Sequence, residues 1–313
     1  MPKLVPIVVA ALAAVGCVTG ATGPERDSAA PDEANGGAMP TGTAAGGRPA
    51  SSAGTHAVGG SGTASGGRVG SAGMSSAGTG ATGGGPTPVD PNFKLLWRDE
   101  FDGFDGARWF KAEHTFIENL GRFTPDNVVV EGGLLKLKVT NVARGDRPYS
   151  AAEVYTSGEF SYGRFEARIK FCKGSGIVSS LFTYKDDAQN QWEEIDIEHL
   201  GRLPKAIQYN LISSPAGNGN DRQYQPFVVH FDYSPSEEFH DYAMEWLPDG
   251  ITFFVDGAYS HRMVQPRIQH ATRLRMNAWP TNNQQTNFAG QLDPNAIPCE
   301  AQYDWMAAYA YQP

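Results

Sequence analysis

No phenylalanine, tryptophan or tyrosine occurs before Phe93, although the chain of 313 residues contains 16, 6 and 12 of them. A hydrophobic core needs such large apolar side chains, so the aromatic-free part of the chain is not expected to form one. Residues 93–313 hold every aromatic residue. That length suits a single all-β domain, which often runs to roughly 200–250 residues.

Positive charge is also scarce. Lys and Arg number 25 against 34 Asp and Glu, which gives a formal net charge of −9. Proteins that bind nucleic acid need a basic surface, so this balance argues against a nucleic-acid partner. A neutral polymer such as a polysaccharide is compatible with it. The histidines show no metal-ligand spacing such as H-E-x-x-H, and we therefore predict no catalytic metal.

Cysteine is rare as well, and the first of the three follows a segment typical of an export signal. Lys3 supplies a positive start, and residues 4–15 form an apolar run too short to span a bilayer. The sequence AVGC at 14–17 resembles a bacterial lipobox, in which Cys17 would be lipidated. Ordinary signal cleavage nearby is the alternative. We predict an exported protein, anchored at the cell surface or outer membrane through Cys17 or otherwise secreted, with 1–17 as its signal.

The two other cysteines, Cys172 and Cys299, remain as an even pair if Cys17 is lipidated or removed. Exported proteins meet an oxidising compartment, so a Cys172–Cys299 disulfide is predicted, with two buried free thiols as the alternative.

Residues 18–90 consist mostly of Gly, Ser, Thr, Ala and Pro, as in GGSGT at 59–63 and GGGP at 83–86. A chain of this composition buries too little apolar surface to offset its conformational entropy. We predict a disordered linker over 18–90 that tethers a folded catalytic domain at 91–313.

Short alternating runs separated by turn residues begin after Phe93. The clearest are LLKLKV at 134–139, RFEARIKF at 164–171, and ITFFV at 251–255, which ends in the hairpin signal Asp256-Gly257. Long helical periodicity is absent from the sequence. The pattern predicts an all-β domain, an antiparallel β-sandwich.

The most informative segment is WEEIDIEH at 192–199, where acidic and branched apolar residues alternate. Successive side chains on a strand point to opposite faces, so Glu194, Asp196 and Glu198 are expected to share one face. Crowded carboxylates raise the pKa of at least one member, and glycosidic bond cleavage uses one protonated and one ionised carboxyl group. An acidic solvent-facing strand or a calcium site would also explain the pattern.

The wider sequence resembles glycoside hydrolase family 16 and, within it, the bacterial lichenases (endo-β-1,3-1,4-glucanases). The similarity covers most of 93–313. It is densest in GIVSSLFTYK at 176–185, WEEIDIEHLG at 192–201, IQYN at 207–210, FHDYAMEW at 239–246, FFVDG at 253–257 and MNAWP at 276–280.

The resemblance implies a curved β-sandwich, a concanavalin-like jelly roll, with a substrate cleft on its concave face. Glu194 falls on the nucleophile of the family, Asp196 on its helper and Glu198 on its acid/base. Only Ile197 separates Asp196 from Glu198, whereas members that act on pure β-1,3-glucans usually carry one more residue there. This favours the lichenase or xyloglucan-type branch. The resemblance also places Cys172 and Cys299 in two strands that could be neighbours.

Sugar-binding positions follow from the same resemblance, and core packing is the alternative for the aromatic members. They are Trp192, Gln208, Asn210, Asn277, Trp279, Glu153, Phe182 and Tyr184.

Three residues depart from the lichenase pattern. Tyr155 stands in place of an arginine, Ile212 in place of a tyrosine and His199 in place of a phenylalanine. We expect all three at or near sugar subsites, so the linkage preference is the feature they affect.

Sequence and resemblance together predict a retaining endo-β-glucanase that hydrolyses mixed-linkage β-1,3-1,4-glucan by double displacement. No cofactor is required, although relatives can carry a structural Ca²⁺ on the convex side. We expect a monomer whose partner is the polysaccharide substrate and whose membrane contact is limited to the lipid anchor. The alternatives are a transglycosylase, a hydrolase of another β-glucan such as xyloglucan, and a non-catalytic carbohydrate-binding module.

Overall fold

The computed structural model describes residues 90–185, 192–214, 221–264 and 268–313. The predicted export signal, Cys17 and the predicted linker apart from Asp90 lie outside the described residues. Within the described part of the chain, no helix has the length and apolar character that crossing a membrane would require.

The described residues form two β-sheets, and the first, which we call the site sheet, carries the acidic segment. Its spatial order is β11 (Gln223–Tyr224), β10 (Ala206–Ser213), β9 (Glu193–Leu200), β8 (Ile177–Tyr184), β16 (Arg273–Pro280), β6 (Tyr149–Thr156) and β2 (Trp109–Lys111). In addition, β12 (Phe227–His230) pairs with β10, and β3 (Gly121–Phe123) pairs in parallel with β6. All other pairs in this sheet are antiparallel.

The second sheet, the back sheet, has the order β15 (Ala258–Met263), β14 (Gly250–Val255), β13 (His240–Leu247), β7 (Gly163–Lys170), β17 (Cys299–Tyr311), β5 (Leu134–Val139) and β4 (Val128–Glu131). Strand β1 (Phe93–Asp99) pairs with β17 as well. The helices of the described chain are short: α1 (Thr286–Ala289) and 3-10 turns at Pro125–Asn127, Asn283–Gln285 and Pro294–Ala296. The predicted antiparallel β-sandwich is therefore confirmed.

One hydrophobic core lies between the sheets because each strand turns alternate side chains inward. Ile195 and Ile197 of β9 are fully buried there together with residues of the back sheet such as Phe165, Met244 and Phe253. Burying a side chain of this size contributes roughly 1.5–3 kcal/mol, so the inward set fixes which residues of β9 face outward.

Two β-hairpins have turns made of two residues with positive φ. Gly132 and Gly133 connect β4 to β5 with φ of 65° and 74°, and Asp256 and Gly257 connect β14 to β15 with φ of 48° and 74°. Two consecutive residues with positive φ make a turn whose twist matches that of paired strands. The hairpin predicted from Asp256-Gly257 is confirmed.

Cys172 and Cys299 form a disulfide across the back sheet, with a Cα–Cα distance of 5.8 Å. Cys172 follows β7, and Cys299 begins β17, which pairs with β7. The bridge closes a loop with a sequence separation of 127 residues. Constraining a loop of that length in the unfolded chain is worth about 4–5 kcal/mol in the chain-entropy description.

Replacing both cysteines with alanine is therefore expected to lower the free energy of unfolding by up to about 4–5 kcal/mol. Guanidinium chloride unfolding of the full chain, followed by tryptophan fluorescence, measures the loss. The unmutated chain in reducing agent is the matched control and should unfold at nearly the same denaturant concentration as the double variant. Two free thiols at these positions in the non-reduced folded protein would contradict the pairing.

Candidate active site

The acidic segment forms β9, and its alternation places three carboxylates on the face of the site sheet that points away from the core. Asp196 is 3% exposed, while Glu194 and Glu198 are half-buried. Ile195 and Ile197 fill the core on the other face. The two glutamates thus share a face and remain reachable from outside, as the alternation predicted.

The neighbouring strands surround each carboxylate with a directly paired residue on either side. Directly paired residues on β10, β9 and β8, in that order, are Gln208–Glu198–Ser180, Asn210–Asp196–Phe182 and Ile212–Glu194–Tyr184. Side chains paired across strands lie about 4.5–5.5 Å apart at Cβ on one face. The structure therefore brings Gln208, Asn210, Phe182 and Tyr184 together around the acidic strand.

Hydrogen bonds distinguish the three carboxylates. The indole Nε1 of Trp192 donates to Glu194 Oε2 at 2.7 Å, and Gln208 Nε2 donates to Glu198 Oε2 at a longer 3.3 Å. Asp196 is hydrogen-bonded to Glu194 and to Asn210. Glu194 thus receives two bonds that favour its charged form, while Glu198 receives one weaker bond.

Burial raises the pKa of every member of this group. Desolvation is the largest cause for Glu194, whose pKa rises to about 7, but the hydrogen bonds from Trp192 and Asp196 and the charge of Arg275 oppose the rise. For Glu198, desolvation and then the negative charge of Glu194 raise the pKa to about 8. Desolvation and its two glutamate neighbours raise the pKa of Asp196 well above its usual range. Because the pKa of Glu194 is the lower of the two glutamate values, Glu194 ionises before Glu198 as the pH rises.

Trp192 lies at the start of β9 and links several of these groups. The edge of its ring meets Tyr184 at a centroid distance of 5.2 Å, and the guanidinium of Arg222 lies 4.3 Å from its ring centroid. Its half-buried ring borders Glu194, as expected of a residue at the sugar site. Arg222 was not predicted, because only the folded chain brings it onto Trp192.

A buried polar network lies on the same face, on β6, β8 and β16. Arg275 Nη1 donates to Glu153 Oε1 at 2.7 Å, and Asn277 Nδ2 donates to Glu153 Oε2 at 3.3 Å. Ser180 Oγ donates to Asn277 Oδ1 at 2.6 Å. Glu153 and Asn277 were predicted as sugar-binding residues, and in the structure each of them already has a protein partner.

Arg275 and Ser180 of this network are absent from the predicted set, although the sequence carries a signal for Arg275. It lies two positions before Asn277 in the otherwise apolar run LRMNAW, so it shares the face of that predicted residue.

Trp279 lies at one end of the site face and is 8% exposed. It belongs to a second apolar cluster with Val178 and Leu200, and the edge of Phe116 packs on it at a centroid distance of 4.9 Å. Phe182 is similarly buried, at 7% exposed. Sugar contacts by these two rings stay predictions.

Two of the three departures from the lichenase pattern lie on the site face. Tyr155 is half-buried between Phe110, at a centroid distance of 5.5 Å, and the guanidinium of Arg275, at 4.8 Å. Ile212 is 8% exposed, and its cross-strand partner on β11 is the exposed Tyr224.

His199 does not lie near a sugar subsite, and that expectation is wrong. It has the parity of Ile195 and Ile197, so it points to the core side, where it is 1% exposed and packs on Phe171. Its Nδ1 lies 3.1 Å from the carbonyl oxygen of Ala206, and burial lowers its pKa.

Among the described residues, no group of three or more His, Cys, Asp or Glu side chains is arranged to hold a metal ion. The structural Ca²⁺ known from relatives stays a prediction.

Sequence relatives of the chain are β-glucanases. The family model described as Glycosyl hydrolases family 16 matches residues 120–307. A beta-glucanase of Brevibacillus brevis is 33% identical over 213 residues, which cover 66% of this chain and 79% of that protein. A beta-glucanase of Acetivibrio thermocellus is 33% identical over 212 residues, which cover 67% of this chain and 61% of that protein.

Solved structures show the same architecture. A prokaryotic beta-1,3-1,4-glucanase (lichenase) derived from a mouse hindgut metagenome superimposes with a TM-score of 0.62 at 29% identity, covering 69% of this chain and 98% of that one. The laminarinase catalytic domain of Thermotoga maritima superimposes with a TM-score of 0.61 at 22% identity, covering 71% and 99%. At 22% identity, the similarity to the laminarinase supports a shared fold only.

Proposed function

The chain belongs to glycosyl hydrolase family 16, and from this premise we propose that it is a retaining endo-β-glucanase acting on mixed-linkage β-1,3-1,4-glucan. The observation that carries the proposal is the carboxylate set on β9. Glu194 accepts a hydrogen bond from Trp192, while burial and the charge of Glu194 raise the pKa of Glu198, four positions along the same face, to about 8. A retaining glycosidase needs such a pair, one as nucleophile and one as acid/base.

The first chemical step forms a glycosyl-enzyme. A carboxylate oxygen of Glu194 attacks the anomeric carbon, the glycosidic C–O bond breaks, and Glu198 gives its proton to the leaving sugar oxygen. Trp192 holds Glu194 in place through its 2.7 Å hydrogen bond. Asp196 bonds the same carboxylate, so a proton on Asp196 offsets the charge of Glu194.

The second step is hydrolysis of that ester. Glu198, now ionised, takes a proton from water, the hydroxyl attacks the anomeric carbon, and Glu194 leaves as a carboxylate. Two inversions at the anomeric carbon give net retention. Gln208, Asn210, Trp192 and Tyr184 border the reacting carboxylates and are the residues we assign to sugar binding there.

Support for the mixed-linkage substrate comes from the regularity of β9. Its pairing with β8 and β10 runs through 193–200 without a register shift, so a single residue separates Asp196 from Glu198 in an unbulged strand. The resemblance associates that form with the lichenase or xyloglucan-type branch and not with members that act on pure β-1,3-glucans. Relatives named beta-glucanase and a lichenase structure agree with the assignment.

A substrate panel tests the proposal. We expect the full chain to release reducing ends from barley β-glucan and lichenan at least 10-fold faster than from laminarin, because its site strand lacks the bulge usual in members that act on pure β-1,3-glucans. Xyloglucan and agarose complete the panel, and faster release from xyloglucan would favour the xyloglucan-type branch. Linkage analysis of the products identifies the bond that is cleaved, and NMR of the first product gives its anomeric configuration. Faster cleavage of laminarin would overturn the linkage assignment. Binding of glucan without any release of reducing ends would favour a carbohydrate-binding module, and longer products at high oligosaccharide concentration a transglycosylase.

A further inference from the structure

Arg275 is a buried cation that the mechanism above does not use. Among the described residues, the buried arginines and lysines are Arg164 and Arg275. Arg164 lies on the back sheet, where Glu166 and Glu245 neutralise it at 3.1 Å and 2.8 Å. Arg275 lies on the site face of β16 and is 5% exposed. Burying a guanidinium is costly unless its charge is compensated, so its presence at this position calls for a physical reason.

The compensation begins with Glu153 but involves more than this one partner. Arg275 Nη1 lies 2.7 Å from Glu153 Oε1. The same face holds the three carboxyl groups of β9, and Arg275 attracts the charge of Glu194. This face of the described structure thus holds four acidic groups and one buried cation, which acts on at least Glu153 and Glu194.

A continuous set of contacts connects Arg275 to Glu194. The guanidinium carbon lies 5.1 Å from the ring centroid of Tyr184, which is the cross-strand partner of Glu194. The Tyr184 ring meets the edge of Trp192 at 5.2 Å, and Trp192 donates to Glu194. Arg275 is two strands from Asp196 through Phe182, roughly 10 Å at the usual strand spacing. Glu194 is the next residue of β9 on the same face as Asp196, and over distances of this order in a poorly hydrated site the charge of Arg275 still acts on Glu194.

We propose that Arg275 is a positioning residue that keeps Glu194 anionic at neutral pH, with Glu153 setting how much of its positive charge reaches the nucleophile. This inference rests on the proposed role of Glu194. Glu153 acts in the opposite direction, because its negative charge disfavours a second anion nearby. The Arg275–Glu153 pair thus sets the lower end of the working pH range.

The test is a pH profile of kcat/KM for the full chain on barley β-glucan. Removing the cation with Arg275→Gln should move the acid limb upward by about one pH unit, whereas Arg275→Lys should leave it near the unmutated position. Removing the anion with Glu153→Gln should move the limb downward. Arg273→Gln is the matched control on the same strand. Arg273 pairs with Tyr184 across from Glu194, but it is half-buried, lies 3.9 Å from Glu159 and donates to the backbone carbonyl oxygens of Thr156 and Ser157. Solvent and these partners screen its charge, so its loss should move the limb much less than the loss of Arg275.

Opposite shifts for the two members of one ion pair separate electrostatic control from loss of structure, because a packing defect would lower activity equally at every pH. A limb that stays in place in both Arg275→Gln and Glu153→Gln overturns the proposal. If Arg275→Gln does not fold, the downward shift in Glu153→Gln decides the question.

A second measurement distinguishes this inference from the proposed function. The Glu194 carboxyl is titrated by ¹³C NMR in glutamate-labelled protein, with Glu194→Gln assigning the signal. A higher Glu194 pKa in Arg275→Gln supports the inference even if the chain cleaves none of the glucans tested. An unchanged Glu194 pKa in an enzyme that is otherwise active refutes the inference and leaves the function standing.

Discussion

Replacing Glu194 with alanine is expected to abolish glucan cleavage, lowering kcat by roughly 10⁴-fold or more, because the carboxylate that forms the glycosyl-enzyme is then missing. Reducing-end release from barley β-glucan measures the loss. Added azide should then restore turnover, since a small anion fits the space that the side chain leaves. The product should be a glycosyl azide of inverted configuration. Azide attacks the anomeric carbon in place of Glu194, which is one inversion, and no second inversion follows.

Glu193 offers a matched control for this variant. It is adjacent in sequence and also acidic, but its carboxylate points to the other face and accepts hydrogen bonds from the backbone N–H groups of Gln269 and His270, both at 2.9 Å. Glu193→Gln should keep activity within a few-fold of the unmutated chain, whereas Glu194→Gln should lose it. Full activity in Glu194→Ala, or equal losses at 193 and 194, would rule out Glu194 as the nucleophile.

The part of this site that the sequence predicted is the part that depends on local geometry. Alternation alone put Glu194, Asp196 and Glu198 on one face, because a strand has a side-chain period of two wherever it runs. The same rule would have placed His199 in the core, since it has the parity of Ile195. The expectation for His199 failed because it was taken from a neighbouring position in the resemblance and not from the strand itself.

What the sequence could not predict depends on register between distant strands. Arg275 reaches Glu153 because β16 pairs with β6, joining residues 122 positions apart. Phe116 covers Trp279 from a loop far away in sequence. Such contacts are set by how whole strands align and how loops return over a sheet, and periodicity carries no information about either. Cys172 and Cys299 are an exception, because they are the two cysteines of the domain predicted at 91–313 and so leave one pairing within it.

Replacing Glu198 with alanine is expected to lower kcat on barley β-glucan by roughly 10²–10⁴-fold, the usual contribution of a general acid, because the leaving sugar oxygen then departs without a proton. An aryl β-glucoside oligomer with an acidic phenol as leaving group needs no such proton. The first step on that substrate should be nearly as fast as in the unmutated chain. With azide present, the product should keep the β configuration, since Glu194 still performs the first inversion. An azide product of inverted configuration would show that Glu198 is the nucleophile and Glu194 the acid/base.

The pH profile gives an independent test of Glu198, and its sign follows from the two raised pKa values. Glu194 must be ionised, so activity falls as the pH drops through about 7, and Glu198 must be protonated, so activity falls as the pH rises through about 8. The unmutated chain should therefore show a narrow bell in kcat/KM between these values, with limbs that belong to the carboxylate set as a whole. In Glu198→Ala, measured on the aryl substrate, the basic limb should disappear. The acid limb should stay near its position in the unmutated chain, because Glu198 is protonated while Glu194 ionises and so adds no negative charge that opposes this step. A basic limb that persists in this variant would show that a different group supplies the proton.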